Sequence, residues 1–200
     1  MGRPAEKQSE RRQDVAQAAL RVIAREGLER ASMRAIAAEL GATLGVLTHY
    51  FPNKDALLRL ILETVGAEIR EAFDSVPLRR PADLHALIGE ILPVDGPRRN
   101  LWKIWLSFAV AAADSPALAR EHAREYGELT VRMAAALTRL APQLRANLQV
   151  QAEAETLICL MDGVGLHGAL MPERMPPSRQ RAILKAHIDA LARKETASHA

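Results

Sequence analysis

The sequence predicts an all-α protein: an N-terminal three-helix unit built around a helix-turn-helix, then a larger helical region, about nine helices in total. Three observations predict it. Ala and Leu are abundant, β-branched residues are sparse and aromatics make up only 4% of the chain, a composition that favours helices over strands. Apolar residues recur three and four positions apart along most of the length. Residues 32–54 (Ser-Met-Arg-Ala-Ile-Ala-Ala-Glu-Leu-Gly-Ala-Thr-Leu-Gly-Val-Leu-Thr-His-Tyr-Phe-Pro-Asn-Lys) spell two short helices, a tight turn and the start of a third helix.

Taken in order, residues 1–8 are polar and are expected to be loose, with Arg3 and Lys7 able to reach a DNA backbone. A first helix from about Glu10 to Glu26 carries Val15, Ala18, Ala19, Val22 and Ile23 on one face, and Gly27 ends it. Ser32 is an N-cap, because its hydroxyl can accept from an orphan N–H of the next turn. Ile36, Ala37 and Leu40 follow at helical spacing, and Gly41 can take the left-handed conformation that stops a helix. Thr43 caps the second short helix, 44–50, whose apolar face is Leu47, Tyr50 and Phe51. Pro52 cannot continue it, and Asn53 caps the next.

Charge sharpens this reading. A helix N-terminus favours acids by roughly 0.3–1 kcal/mol each. Here Arg34 stands in the first turn after Ser32, and Lys54 opens the helix after Asn53. A bound phosphate would reverse the sign of both placements. Residues 1–54 hold nine Lys/Arg against six Asp/Glu, and the remainder is neutral, so the whole excess of +3 lies with the helix-turn-helix. The second short helix would enter the major groove and offers Thr43, Leu44, Gly45, Val46, Thr48 and His49. No Arg, Lys, Asn or Gln lies in 43–49, so the bidentate pairings to guanine and adenine are unavailable from it. Readout must then use thymine methyls, hydroxyl or imidazole bonds, water and DNA shape. Gly45 weakens its helix by about 1 kcal/mol against Ala, which close approach to DNA would explain.

A long helix from Lys54 to about Asp74 turns Leu57, Leu58, Ile61, Leu62, Val65 and Ile69 inward and spans about 30 Å. This sets a DNA-binding domain at 1–53 and a ligand-binding and dimerisation domain at 54–200. A short helix over 82–92 precedes a loop at 93–97. Of only seven aromatics in the chain, three (Trp102, Trp105 and Phe108) fall in a helix over 100–113. The next helix, 116–140, carries His122 and Tyr126. These aromatics either fill a core or line a ligand cavity. Helix 148–170 contains Met161, Asp162 and His167 among apolar residues, the two polar ones being ligand contacts or hydrogen-bonded structural groups. Its three glycines, Gly163, Gly165 and Gly168, need an offset such as close helix approach. Ser178 is expected to cap a final helix, about 178–194, with Ile183, Leu184, His187, Ile188 and Leu191 on one face. The last two helices have apolar surplus and predict a homodimer through a four-helix bundle, which also brings two recognition helices about one DNA turn apart.

The single cysteine, Cys159, excludes an internal disulfide and reads as a small buried hydrophobe. No secretory leader and no apolar run of 18 residues is present, so a cytoplasmic protein is expected. No helical metal motif, nucleophile elbow or phosphate loop points to an enzyme, and neither a cofactor nor a metal is expected.

Residues 10–63 resemble the TetR family of bacterial transcriptional regulators, above all at Leu47-Thr48-His49-Tyr50-Phe51-Pro52-Asn53-Lys54-Asp55-Ala56-Leu57. The resemblance implies phosphate contacts at Thr43, Tyr50 and Lys54, and base contacts at Leu44, Gly45, Val46 and His49. Ser32, Arg34 and Thr48 complete the expected DNA face. Thr48 departs from the Tyr usual in the family and is found in the branch resembling the choline-sensing betaine-pathway repressor. The segments around Trp102–Phe108, His122–Tyr126 and Leu160–Gly163 also look like that branch. The resemblance implies a dimeric repressor on a palindromic double-stranded operator, released by a small molecule held by some of Trp102, Trp105, Phe108, His122, Tyr126, Met161, Asp162 and His167. A cage for a quaternary ammonium could use Trp102 and Trp105. A regulator without a small-molecule effector, or an activator, stays open beside it.

Overall fold

The computed structural model describes residues 4–192, with side chains from Glu10 onward. Among these residues nine α-helices and one 3-10 turn form, with no strand. The helices are α1 (Pro4–Glu26), α2 (Met33–Glu39), α3 (Leu44–Tyr50), α4 (Lys54–Ser75), α5 (Pro81–Ile91), α6 (Gly96–Asp114), α7 (Pro116–Leu140), α8 (Val150–Leu170) and α9 (Pro177–Ala192), with the 3-10 turn at Ala141–Gln143. The all-α expectation holds. The chain divides into two compact units: residues up to Ala67 with Lys103–Ala123, and Glu68–Trp102 with the residues from Arg124 onward.

In the first unit α1 buries Val15, Ala16, Ala18, Ala19, Val22 and Ile23, and α2 adds Ile36 and Ala37. Leu47 and Phe51 anchor α3 from inside and are almost wholly buried. Each such side chain contributes about 1.5–3 kcal/mol. The packing order is α1 on α2 and α2 on α3. Arg21 and Arg25 on α1 clamp Glu39 at the end of α2, at 2.8 and 3.0 Å. These hydrogen bonds hold the Glu39 carboxyl below its usual range. The sequence reading started α1 at Glu10. The helix instead begins at Pro4, because proline suits a first helical position and Ala5, Glu6, Lys7 and Gln8 are good helix formers. Arg3 and the side chain of Lys7 lie outside the described residues.

In the second unit α9 packs on α5 and on α8. Two of the three α8 glycines explain themselves here. A Cβ at Gly165 would overlap the ring of Trp102, and one at Gly168 would meet Gln180 Cδ at 2.7 Å and Pro93 Cγ at 2.9 Å. Gly163 meets nothing within 4 Å. Buried Gln180 donates to the Met175 carbonyl at 2.9 Å, tying α9 to the turn before it. Glu153, also buried, takes His187 of α9 at 2.6 Å and Arg145 at 3.3 Å.

Three expectations are corrected. The 93–97 segment is not wholly loop: α6 starts at Gly96, because the Asp95 carboxylate accepts from Arg98 N–H at 2.9 Å and caps it. Ser178 does not cap α9. The helix starts at Pro177, and the Pro176 carbonyl accepts the N–H groups of Arg179 and Gln180 at 2.9 and 3.1 Å. Cys159 is exposed rather than buried, since the inward stripe of α8 runs through Ala154, Leu157, Ile158, Met161, Val164 and Gly165 and leaves position 159 outside it.

Candidate nucleic-acid interface

The helix-turn-helix is assembled by local bonds. Ser32 Oγ accepts from Ala35 N–H at 3.1 Å, and Thr43 Oγ1 accepts from Val46 N–H at 3.3 Å. Asn53 Oδ1 accepts from Ala56 N–H at 2.9 Å. Gly27 and Gly41 turn the chain with φ of +86° and +66°, conformations that glycine adopts without strain. All three caps and both stops fall on the residues the sequence named for them.

With Leu47 and Phe51 inside, α3 turns outward Thr43, Leu44, Gly45, Val46, Thr48 and His49, all exposed, with Tyr50 half-buried. Leu44 and Val46 are 37% and 39% exposed. The Thr48 hydroxyl donates to the Gly45 carbonyl at 3.2 Å. His49 and Tyr50 meet edge to face with ring centres 5.3 Å apart. Ser32 and Arg34 are exposed at the start of α2. Lys54 is exposed at the start of α4, with its ammonium 3.5 Å from the carbonyls of Leu28 and Glu29. It therefore ties the loop after α1 while keeping one proton for an outside acceptor. Sequence reasoning missed Arg12, whose guanidinium lies 5.5 Å from the centre of the Phe51 ring and steadies the end of α3. Arg and an aromatic 39 positions apart carry no local signal of contact.

The candidate ligand residues take different places. In the first unit Trp105 and Phe108 are buried, and Trp105 stacks on half-buried His122 with ring centres 4.5 Å apart. Burial lowers the pKa of His122, which keeps the imidazole neutral at pH 7. In the second unit Trp102 belongs to the core: its indole N–H donates to the Ile91 carbonyl at 2.7 Å and its ring lies against Gly165. Met161 is buried on the inward stripe of α8. Tyr126 of α7 donates its phenolic proton to the Asp162 carboxylate of α8. Both are half-buried, and burial raises the pKa of Asp162 against the opposing pull of that bond. His167 is exposed in the last turn of α8.

One cluster went unnoticed in the sequence. Arg70, near the end of α4, reaches Glu125 at 2.9 Å and Glu128 at 3.2 Å on α7. Arg124 holds the same two carboxylates, each at 2.8 Å. Asp74 of α4 meets Arg132 of α7 at 3.3 Å. Arg70 and Asp74, in the last two turns of α4, are thus strapped to one face of α7, and Tyr126 lies on that same helix. Among the described residues no group of three His, Cys, Asp or Glu side chains could hold a metal ion, and no helix is long and apolar enough to cross a membrane.

Comparison with known proteins supplies the family. A family model described as bacterial regulatory proteins, tetR family, matches residues 16–61, and one described as BetI-type transcriptional repressor, C-terminal, matches residues 81–193. The chain is 29% identical to the HTH-type transcriptional regulator PksA of Bacillus subtilis, over 93% of this chain and 92% of that one. It is 30% identical to the HTH-type transcriptional regulator BetI of Vibrio campbellii, over 90% of each. A transcriptional regulator from Saccharomonospora viridis, solved in complex with choline, shares the fold with a TM-score of 0.76 at 24% identity, covering 90% of this chain and 96% of that one. A capped helix-turn-helix with an outward α3, followed by a helical region matched over more than half of the chain, places this protein in the TetR family of transcriptional regulators, with a BetI-type C-terminal domain.

Proposed function

We propose that the chain is a dimeric repressor that binds a palindromic operator and is released from it by a small molecule. Residues 1–53 act as the DNA-binding domain and 54–200 as the effector and dimerisation domain, working in the bacterial cytoplasm. The observation that carries the reading is α3: Leu47 and Phe51 are spent inside, and Thr43, Leu44, Gly45, Val46, Thr48 and His49 stand exposed. Ser32, Thr43, Tyr50 and Lys54 supply donors for phosphate and Arg34 a cation at the border of that face.

Dimerisation uses the outer faces of α8 and α9. On α8 these carry exposed Ala152, Thr156, Cys159, Gly163 and Leu170, and on α9 exposed Ala182, Ala186 and Ala190. Small side chains let helices of two copies approach closely. One helix-turn-helix reads too few bases, and a two-fold pair supplies the second half-site.

The effector is a compact organic cation received at Tyr126 and Asp162. A carboxylate made uncomfortable by burial is stabilised by a cation brought to it. Choline in the similar regulator supports that class. Trp102 is committed to packing, so it does not serve as a cage wall. Binding on α7 is transmitted to α4 through Arg70, Glu125 and Glu128, and α4 is a single helix back to Lys54. The effector must prefer the state that does not bind DNA, with 1–3 kcal/mol of coupling typical.

Fluorescence anisotropy on DNA from upstream of the chain's own gene, against random DNA at two salt concentrations, tests the reading. Tighter binding upstream with two subunits per site is the expected result; equal binding to both counts against it. In the same assay Lys54→Ala should weaken binding to every sequence alike and reduce the salt slope by about 1. An unchanged slope would remove Lys54 from the phosphate contacts.

A further inference from the structure

The outward face of α3 specifies the chemistry it can read. Bidentate hydrogen-bonding side chains are absent from it. Of its two hydroxyls, Thr43 accepts from the Val46 N–H and Thr48 donates its proton to the Gly45 carbonyl, so Thr48 faces outward as an acceptor only. His49 is the one ring nitrogen donor between 43 and 49. What α3 presents most of all is aliphatic surface, Leu44 and Val46, standing in its first turn on either side of Gly45. A Cβ at Gly45 would meet only Thr43 Oγ1, at 3.8 Å, so nothing among the described residues requires glycine there. An outside surface coming close to the backbone between the two side chains would. In the major groove the only apolar group on a base-pair edge is the C5-methyl of thymine.

We infer that Leu44 and Val46 are specificity-determining residues that read thymine methyl groups, so that each operator half-site carries thymines on the base pairs facing the first turn of α3. This rests on the proposed DNA-binding function and names the chemical group that it recognises. Gly45 lets the helix sink until both side chains touch the methyls. Thr48 and His49, a turn further on, contribute an acceptor and a donor to neighbouring base edges. Discrimination is therefore by removal of apolar surface from water, and only weakly by direct hydrogen bonds.

The test uses the full chain and a random duplex pool. Sites enriched over several rounds are resynthesised with single thymines replaced by deoxyuridine, which keeps every hydrogen-bonding group and loses only the methyl. Affinity should fall about fourfold at each contacted thymine, the value expected for one buried carbon. Leu44→Ala and Val46→Ala should bind the thymine site more weakly, and each should become indifferent to uracil at the position it contacts. Both side chains are exposed, and circular dichroism of the variants should match the parent chain. Enriched sites that tolerate uracil at every position overturn this inference and leave the regulator reading standing. No enrichment over the starting pool overturns both.

Discussion

Gly165→Ala should destabilise the protein by about 1–3 kcal/mol, the usual cost of forcing an extra carbon into a filled core. The reason is specific. The added methyl would overlap the six-membered ring of Trp102. That ring has little freedom to withdraw: it is 9% exposed and its N–H is held by the Ile91 carbonyl at 2.7 Å. Shifting it would also strain a buried hydrogen bond, whose loss leaves a donor without water. The clash competes with the gain of roughly 1 kcal/mol that alanine brings to a helix interior. Gly163→Ala, two residues earlier on α8, isolates that gain, because nothing lies within 4 Å of its Cβ position. Urea unfolding should therefore move the midpoint down for Gly165→Ala and, at protein concentrations low enough to keep the chain monomeric, up for Gly163→Ala. A Gly165→Ala protein as stable as the parent would mean that Trp102 repacks freely and does not lock α6 to α8. Gly163 carries a second message, since it stands on the face assigned to the dimer. A Gly163→Ala protein that loses stability, more so at higher protein concentration, would reveal a second subunit packed over it.

The glycines also mark how much was legible in the sequence. Ser32, Thr43 and Asn53 are caps, and Gly27 and Gly41 are stops, because each is decided by bonds within three or four residues. That makes the helix-turn-helix readable residue by residue. The errors share a different cause. Asp95 was overlooked as a cap because Gly96 and Pro97 follow it, two residues that look like loop and yet fit the first turn of α6. Cys159 was placed inside from the apolar character of its neighbours, when its angular position on α8 sets it outside. Trp102 and Trp105 lie three positions apart on one helix, yet the first is bonded to Ile91 and the second is stacked on His122, partners that spacing alone does not name. The strap from Arg70 to Glu125 spans 55 positions and the bond from Tyr126 to Asp162 spans 36. Contacts of that reach are made by the tertiary fold, and charge or polarity alone does not pair them.

Asp162→Asn should leave operator binding at the parent level and weaken release by a cationic effector, for which choline chloride is the first probe. Removing the charge from a desolvated ion contact costs 2–5 kcal/mol, so the concentration needed for release should rise about 30-fold or more. Stability should move the other way. Burial raises the Asp162 pKa, so the carboxylate opposes folding when ionised. The folded chain then holds this proton more tightly than the unfolded one, and stability rises as pH falls through the folded value towards the unfolded value. Asparagine needs no proton and should erase that rise in the difference between variant and parent; the comparison is needed because burial raises the pKa of Glu125 as well. Tyr126→Phe separates the two roles. The phenolic bond pulls the Asp162 pKa down, so its loss moves the pKa higher still and keeps the group protonated to a higher pH. Effector response, which needs the carboxylate, should therefore fade at a higher pH in Tyr126→Phe than in the parent. An Asp162→Asn repressor released at the parent's effector concentration would exclude this carboxylate from the effector site. The BetI-type domain would then sense its ligand through groups other than the Tyr126–Asp162 pair.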